Sequence, residues 1–232
     1  MNVADIYPGT LTKVPKRLHK YWHQRYNLFS RYDEGVWMDE EGWFSVTPEA
    51  IAADAAERCR CDVIIDAFCG VGGNAIQFAM TCNHVIAIDV DAERLKCARH
   101  NAEVYGVADR IEFIHGDFMQ LAPHLKADVV FLSPPWGGPE YNQSDTYDLD
   151  LMQPVNGLEL YKVARRITPD IAYFLPRNCE PDQIGQLDPG RNVEIEMNYL
   201  FGYLKAITAY FGELVGDTSD AMAVDNPEEF DM

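Results

Sequence analysis

Ser133-Pro134-Pro135-Trp136-Gly137-Gly138-Pro139 combines a hydroxyl, prolines that cannot be diverted into a strand ladder, and one large aromatic face. Ser133 Oγ and the carbonyl of Pro134 can accept the two hydrogens of an amine and turn its lone pair towards an electrophile, while the Trp136 ring stacks on a flat base. A second string, Asp66-Ala67-Phe68-Cys69-Gly70-Val71-Gly72-Gly73-Asn74, sets a carboxylate ahead of a tight glycine turn. Its glycines break the Gly-x-Gly-x-x-Gly spacing of a dinucleotide loop, and a carboxylate there repels a diphosphate. The same carboxylate favours the ammonium of an amino-acid moiety. Further on, Asp89-Val90 offers a bidentate acceptor for ribose hydroxyls, and Gly116-Asp117-Phe118 an acid and a ring for a purine.

These residues act together only if the chain brings them to one edge. Hydrophobic patterning predicts strands at 63–68, 84–90, 111–115, 127–132 and 171–175, with helices over 73–80, 92–105 (closed by Gly106) and 159–167 between them. Two late runs, 193–200 and 205–211, flank Phe201-Gly202 and read as an antiparallel hairpin. The alternation predicts an α/β fold: a doubly wound, mostly parallel sheet of seven strands closed by a C-terminal antiparallel hairpin. This Rossmann-like layout is that of class I S-adenosylmethionine (AdoMet)-dependent methyltransferases. Ligands of such sheets sit beyond the carboxyl ends of the strands, and each string above follows a predicted strand. Three acids at three consecutive strand ends fit AdoMet better than a dinucleotide. The competing reading is of turn residues in another α/β fold.

Before the sheet, residues 16–30 read as one helix and 31–42 as a surface loop. Thr47-Pro48-Glu49 then reads as an N-cap, a first-turn proline and a first-turn acid, starting a helix that ends near Arg58. We divide the chain into an N-terminal helical extension or lid (1–46), a methyltransferase domain (47–215) and an acidic disordered tail (216–232).

Composition narrows the function classes. With 19 basic and 37 acidic side chains in 232 residues, the net charge of −18 argues against general nucleic-acid binding. Residues 1–31 are nonetheless basic, through Lys13, Lys16, Arg17, Lys20, Arg25 and Arg31 against Asp5, enough to engage a few phosphates. No apolar stretch is long enough for a membrane span, and Met1 to Thr10 has no secretory pattern. The six cysteines (Cys59, Cys61, Cys69, Cys82, Cys97 and Cys179) form no zinc-ligand spacing and read as reduced thiols; no metal is expected. None of the six histidines receives a catalytic role.

The Ser-Pro-Pro-aromatic string after the fourth strand matches a loop of many amino-group methyltransferases. Together with the Asp66–Asn74 string, Gly42-Trp43-Phe44-Ser45-Val46-Thr47-Pro48-Glu49, Asn101-Ala102-Glu103-Val104-Tyr105-Gly106, Phe174-Leu175-Pro176-Arg177-Asn178 and Ile207-Thr208-Ala209-Tyr210-Phe211-Gly212, it resembles the trimethylguanosine synthases. The resemblance covers roughly residues 16–214. It implies transfer of one and then a second methyl from AdoMet to the exocyclic 2-amino group of a 7-methylguanosine RNA cap, giving the trimethylguanosine cap of small nuclear and nucleolar RNAs.

By that resemblance Ser133, Pro134, Trp136 and Asp66 form the catalytic group. Phe29, Thr47, Asp66, Ala67, Phe68, Gly70, Asn74, Asp89, Val90, Asp117, Phe118, Ser133 and Pro134 line the AdoMet site. Asn101 helps place the guanosine that Trp136 stacks, and Lys20, Tyr141, Arg177 and Lys205 meet the triphosphate. The partner is then the cap and its triphosphate, with little of the RNA body, and the expected location is the nucleus. The match begins near Lys16, whereas animal members carry long extensions, so the chain reads as a catalytic fragment or a short member. Three rivals remain: an amino methyltransferase of adenine N6 or protein glutamine, a cap-binding module without catalysis, and a dinucleotide oxidoreductase.

Overall fold

Strands buried on both faces need unbroken apolar runs, and the central strands of this chain supply them. The computed structural model describes residues 14–137 and 145–216. Seven strands form one sheet: β1 (Val63–Asp66), β2 (His84–Asp89), β3 (Ile111–His115), β4 (Val129–Leu132), β5 (Ile171–Pro176), β6 (Glu194–Leu200) and β7 (Tyr203–Phe211). Their order is β3-β2-β1-β4-β5-β7-β6. The first five run parallel, and β7 runs antiparallel to both β5 and β6. The expected class I methyltransferase sheet with a closing hairpin is thus present. Because β1 lies between β2 and β4, the order reverses there, which places a ligand crevice at the carboxyl ends of these strands.

The helices are α1 (His19–Trp22), α2 (Arg25–Leu28), α3 (Gly42–Ser45), α4 (Glu49–Arg58), α5 (Gly73–Thr81), α6 (Ala92–Tyr105), α7 (Phe118–Leu121), α8 (Gly157–Ala164) and α9 (Pro181–Gly185). Two apolar layers cover the sheet. One is built with Ile51, Phe78 and Ala98 of α4, α5 and α6, the other with Leu160, Tyr161 and Ile184 of α8 and α9. Helix α6 has the limits expected for it, because both caps are strong. Asp91 accepts the amides of Glu93 and Arg94, and Gly106 takes a left-handed φ of 74°. Helix α8 instead starts at Gly157, two residues early, because Asn156 caps it through the amides of Leu158 and Glu159.

Three expectations before the sheet are corrected. The single helix over 16–30 is a 3-10 turn (Lys16–Leu18) followed by the separate short helices α1 and α2. The break is local: Arg25 lies 3.8 Å from the Trp22 ring centroid and donates to the Trp22 carbonyl at 3.3 Å, so that carbonyl is satisfied without a continuing helix. The surface loop over 31–42 carries buried Tyr32, Val36 and Met38, which pack into the same core as α4–α6. Thr47 does not cap α4; Pro48 occupies that position without a side-chain bond. Thr47 Oγ1 accepts from Asn74 Nδ2 at 3.1 Å instead. The tail from 217 onwards, Gly138, Pro139 and Tyr141 lie outside the described residues.

Candidate active site

Register brings the acids to one edge. Asp66 ends β1 opposite Ala87 and Phe131, and Asp89 ends β2 opposite His115. Asp66 is fully buried, and neither carboxylate oxygen has a hydrogen-bond partner. The amides of Phe68 and Ala75 favour its anion without closing a bond to it, and burial together with the nearby Asp89 pushes its pKa from 3.8 up to about 7. An orphaned buried carboxylate is costly, so the position calls for a cationic donor. An AdoMet-type ammonium fits that requirement.

The turn after Asp66 wraps closely. Gly70 and Gly72 take φ values of 54° and 91°, and a Cβ on Gly72 would lie 3.1 Å from Ala98 Cα. Gly70 donates its amide to Asp89 Oδ2 at 2.9 Å, while Asp91 donates to Asp89 Oδ1 at 2.8 Å. Two amides therefore aim the Asp89 carboxylate and leave lone pairs for further donors. Burial raises the Asp89 pKa, opposed by those amides and by Arg94. Exposed Val90 follows. Asp117 caps the one-turn helix α7 through the Met119 amide, placing buried Phe118 6.2 Å from Phe68, centroid to centroid.

Residues 14–46 cover this edge. Buried Phe29 reaches within 4.0 Å of the position a Gly73 Cβ would take, beside Thr47 and Asn74. Glu49 fixes that arrangement by accepting from the Ser30 amide and hydroxyl at 2.6 and 2.7 Å and from Tyr105 Oη at 2.6 Å. Arg94 joins the same segment to β2. It bonds Asp39 at 3.3 Å and Glu41 at 2.7 Å, and lies 3.9 Å from Asp89. Sequence reasoning missed Arg94, and it read Glu49 only as a first-turn acid, since each acts on residues far along the chain. The only local signals were the place of Arg94 shortly after Asp89-Val90 and that of Glu49 within the Gly42–Glu49 string.

At the end of β4, Ser133 donates its hydroxyl to the Phe68 carbonyl at 3.4 Å, which ties the fourth-strand loop to the first. With its hydrogen so used, Ser133 Oγ is an acceptor towards the crevice. Pro134 is buried and Pro135 exposed. Trp136 is half-buried with its ring 5.3 Å from that of Phe174, tilted 31°. Phe174, a core residue of β5, was missed as the support of this ring.

Arg177 follows β5 and donates to the Leu204 carbonyl at 3.3 Å; Lys205 is exposed on β7, beside Leu204. The structure thus brings Trp136, Arg177 and Lys205 to one side of the crevice. Lys20 is exposed on α1, 4.7 Å from the Tyr21 ring centroid. Asn101 is fully buried, and its amide is spent on backbone: it accepts from Trp37 and donates to the carbonyls of Trp37 and Val71. It holds a segment that borders the site rather than presenting a group to a ligand. All six cysteines are unpaired, with Cys61 Sγ 3.8 Å from Cys82 Sγ. Among the described residues no cluster of three or more His, Cys, Asp or Glu could hold a metal ion, and no helix is long and apolar enough to cross a membrane.

Comparison with known proteins points to one family. The family profile described as RNA cap guanine-N2 methyltransferase matches residues 61–214. The chain is 45% identical over 209 residues to trimethylguanosine synthase of Schizosaccharomyces pombe, covering 85% of this chain and 87% of that protein. It is 39% identical over 228 residues to trimethylguanosine synthase of Saccharomyces cerevisiae, covering 90% and 72%. Among solved structures, a methyltransferase of Porphyromonas gingivalis W83 superposes with a TM-score of 0.67 at 15% identity over 88% of this chain. The tRNA m1G37 methyltransferase of M. jannaschii superposes at 0.53 and 16% identity over 75%. This chain matches 52% of each of those two chains, and the likeness to them is one of fold.

Proposed function

From the premise that this chain belongs to the RNA cap guanine-N2 methyltransferases, we propose that it methylates the 2-amino group of a 7-methylguanosine cap twice, forming the trimethylguanosine cap of small nuclear and nucleolar RNAs. The observation that carries the site assignment is Asp66, a fully buried carboxylate without a hydrogen-bond partner at the switch point of the sheet. The family and the fold imply an AdoMet-type donor, which when bound supplies an electrophilic methyl on a positively charged sulfur.

Asp66 holds the ammonium of that donor and Asp89 its ribose hydroxyls. Asp117, Phe118 and Phe68 flank the adenine, while Phe29, Thr47 and Asn74 close over it. On the target side Trp136, backed by Phe174, stacks the cap base. A 7-methylguanine ring is cationic, so the Trp face suits it better than an unmodified guanine, with stacking worth about 1–3 kcal/mol. Ser133 Oγ and the Pro134 carbonyl accept the two hydrogens of the 2-amino group and turn its lone pair towards the methyl. The conjugated amine is a weak base, and once methylated it is an acidic cation that loses a proton to water. No strong general base is therefore required, and catalysis rests on alignment and electrostatics.

Lys20, Arg177 and Lys205 neutralise the triphosphate, and the Tyr141 hydroxyl donates to it. A few placed cations on an acidic chain select the cap over the RNA body, and nuclear residence follows from such substrates. The test is methyl transfer read by mass spectrometry, with AdoMet and either 7-methyl-GTP or GTP. Gain of one and two methyls on the first and none on the second is expected. Equal transfer to both, or transfer to neither, overturns the cationic-base reading.

A further inference from the structure

The exposed tip of the β6–β7 hairpin lies outside the site described above and carries an unusual surface. Tyr199, Phe201 and Tyr203 are 56%, 74% and 71% exposed, and Met197 beside them is 58% exposed. Half of the exposed large apolar and aromatic side chains among the described residues thus fall within seven positions. Large exposed apolar patches mark binding surfaces. Phe201 is also the one non-glycine among the described residues with a positive φ, 52°, at the first position of a two-residue turn closed by Gly202. That position favours Asn or Gly, so an aromatic residue there is held against its backbone preference. Strain of this kind gathers where a side chain is needed for contact.

The topology says what the tip faces. Strand β7 runs antiparallel to β5, so its start at Tyr203 lies at the same edge as the end of β5, next to Arg177. Arg177 bonds the Leu204 carbonyl, and Lys205 Nζ lies 5.8 Å from the Tyr203 ring centroid. From β4 outwards the edge therefore presents Trp136, then Arg177 and Lys205, then Tyr203, Tyr199 and Phe201. At about 4.8 Å per strand, β7 lies about 10 Å from β4. A base platform, cations and further aromatic faces in that order match a capped end: cap base, triphosphate, next bases.

We propose that the β6–β7 tip seats the first transcribed nucleotides of the capped RNA, their bases stacking on Tyr203, Tyr199 and Phe201 beyond the phosphates held by Arg177 and Lys205. This deepens the cap-methyltransferase reading and rests on it. Stacking on aromatic rings tolerates any base, so the tip selects an RNA end by its shape and not by its sequence.

The experiment compares KM for 7-methyl-GTP with KM for a 7-methylguanosine-capped trinucleotide, in the wild-type chain and in the double variant Phe201→Asn, Tyr203→Thr. Both sites are exposed, and Asn suits the left-handed backbone at 201, so the far-UV circular dichroism is kept and the melting temperature does not fall. The wild type should bind the capped trinucleotide about tenfold better than 7-methyl-GTP. The double variant should lose that preference while its KM and kcat for 7-methyl-GTP hold. No wild-type preference, or a preference the double variant keeps, overturns the proposal and leaves the tip as a face for a protein. Absence of transfer to either substrate in the wild type would instead overturn the cap reading and this one with it.

Discussion

The two halves of the crevice are built on opposite plans. At the ends of β1 and β2 the groups are buried and acidic; backbone amides fix Asp89, while neither oxygen of Asp66 closes a hydrogen bond. At the ends of β4 and β5 and the start of β7 they are half-buried or exposed: a hydroxyl, a ring backed by another ring, and two cations. The first half holds stored cost that a cationic ligand relieves. The second is an open platform whose parts gain value only when an aromatic, anionic ligand lies across them. On the proposed assignment, a cationic donor and an acceptor carrying an anionic triphosphate are sorted to their own sides before any reaction occurs.

Exchanging the charge at Asp66 breaks that contrast most severely. Asp66→Asn leaves the ammonium without its counter-charge and should weaken AdoMet binding by about 3–5 kcal/mol, as read by calorimetry. The free chain should respond in the other direction. Because the folded pKa of about 7 lies above the ordinary 3.8, the folded chain holds a proton that the unfolded chain releases. Stability from this group is full below about pH 4, declines between 4 and 7, and is lower by about 4 kcal/mol above 7. Asp66→Asn should therefore raise the melting temperature without ligand at pH 8, with the gain shrinking towards pH 4. A variant that melts as the wild type does at both pH values, or binds AdoMet equally well, removes the stored-cost account.

Asp89→Ala probes the same half through neutral donors. Loss of both ribose acceptors should weaken AdoMet by about 2–5 kcal/mol. An unchanged affinity would show that β2 does not meet the ribose. The smallest effect falls on the open half. Trp136→Ala should weaken 7-methyl-GTP by about 1–3 kcal/mol and leave AdoMet nearly untouched. If AdoMet affinity falls equally, the two halves are not separable in this way.

The parts legible in the sequence are those set by neighbours in the chain. Asp91 and Gly106 bound α6 because caps act within a turn, and strand-end acids are readable because alternation dictates where strands end. Arg94 was not readable, since its partners Asp39 and Glu41 lie more than fifty residues away. The helix expected over 16–30 failed for a related reason. Its periodicity is real, but the turns are placed by Leu18, Leu28 and Phe29 reaching into a core formed by later elements. Asn101 stood in a string that named the family, yet its amide is spent on Trp37 and Val71, a use visible only in three dimensions.

The family profile spans residues 61–214, which carries the whole sheet, whereas Arg94 finds two of its acids on residues 39 and 41. A gene fragment cut to the profile would keep every strand and strip that guanidinium of both, along with Phe29, Thr47 and Glu49. The matched segment and the piece able to fold and work are thus different lengths of chain, since α4 and buried Tyr32, Val36 and Met38 complete one apolar layer of the sheet. Any truncation, fusion or graft of this enzyme has to be drawn around the longer one.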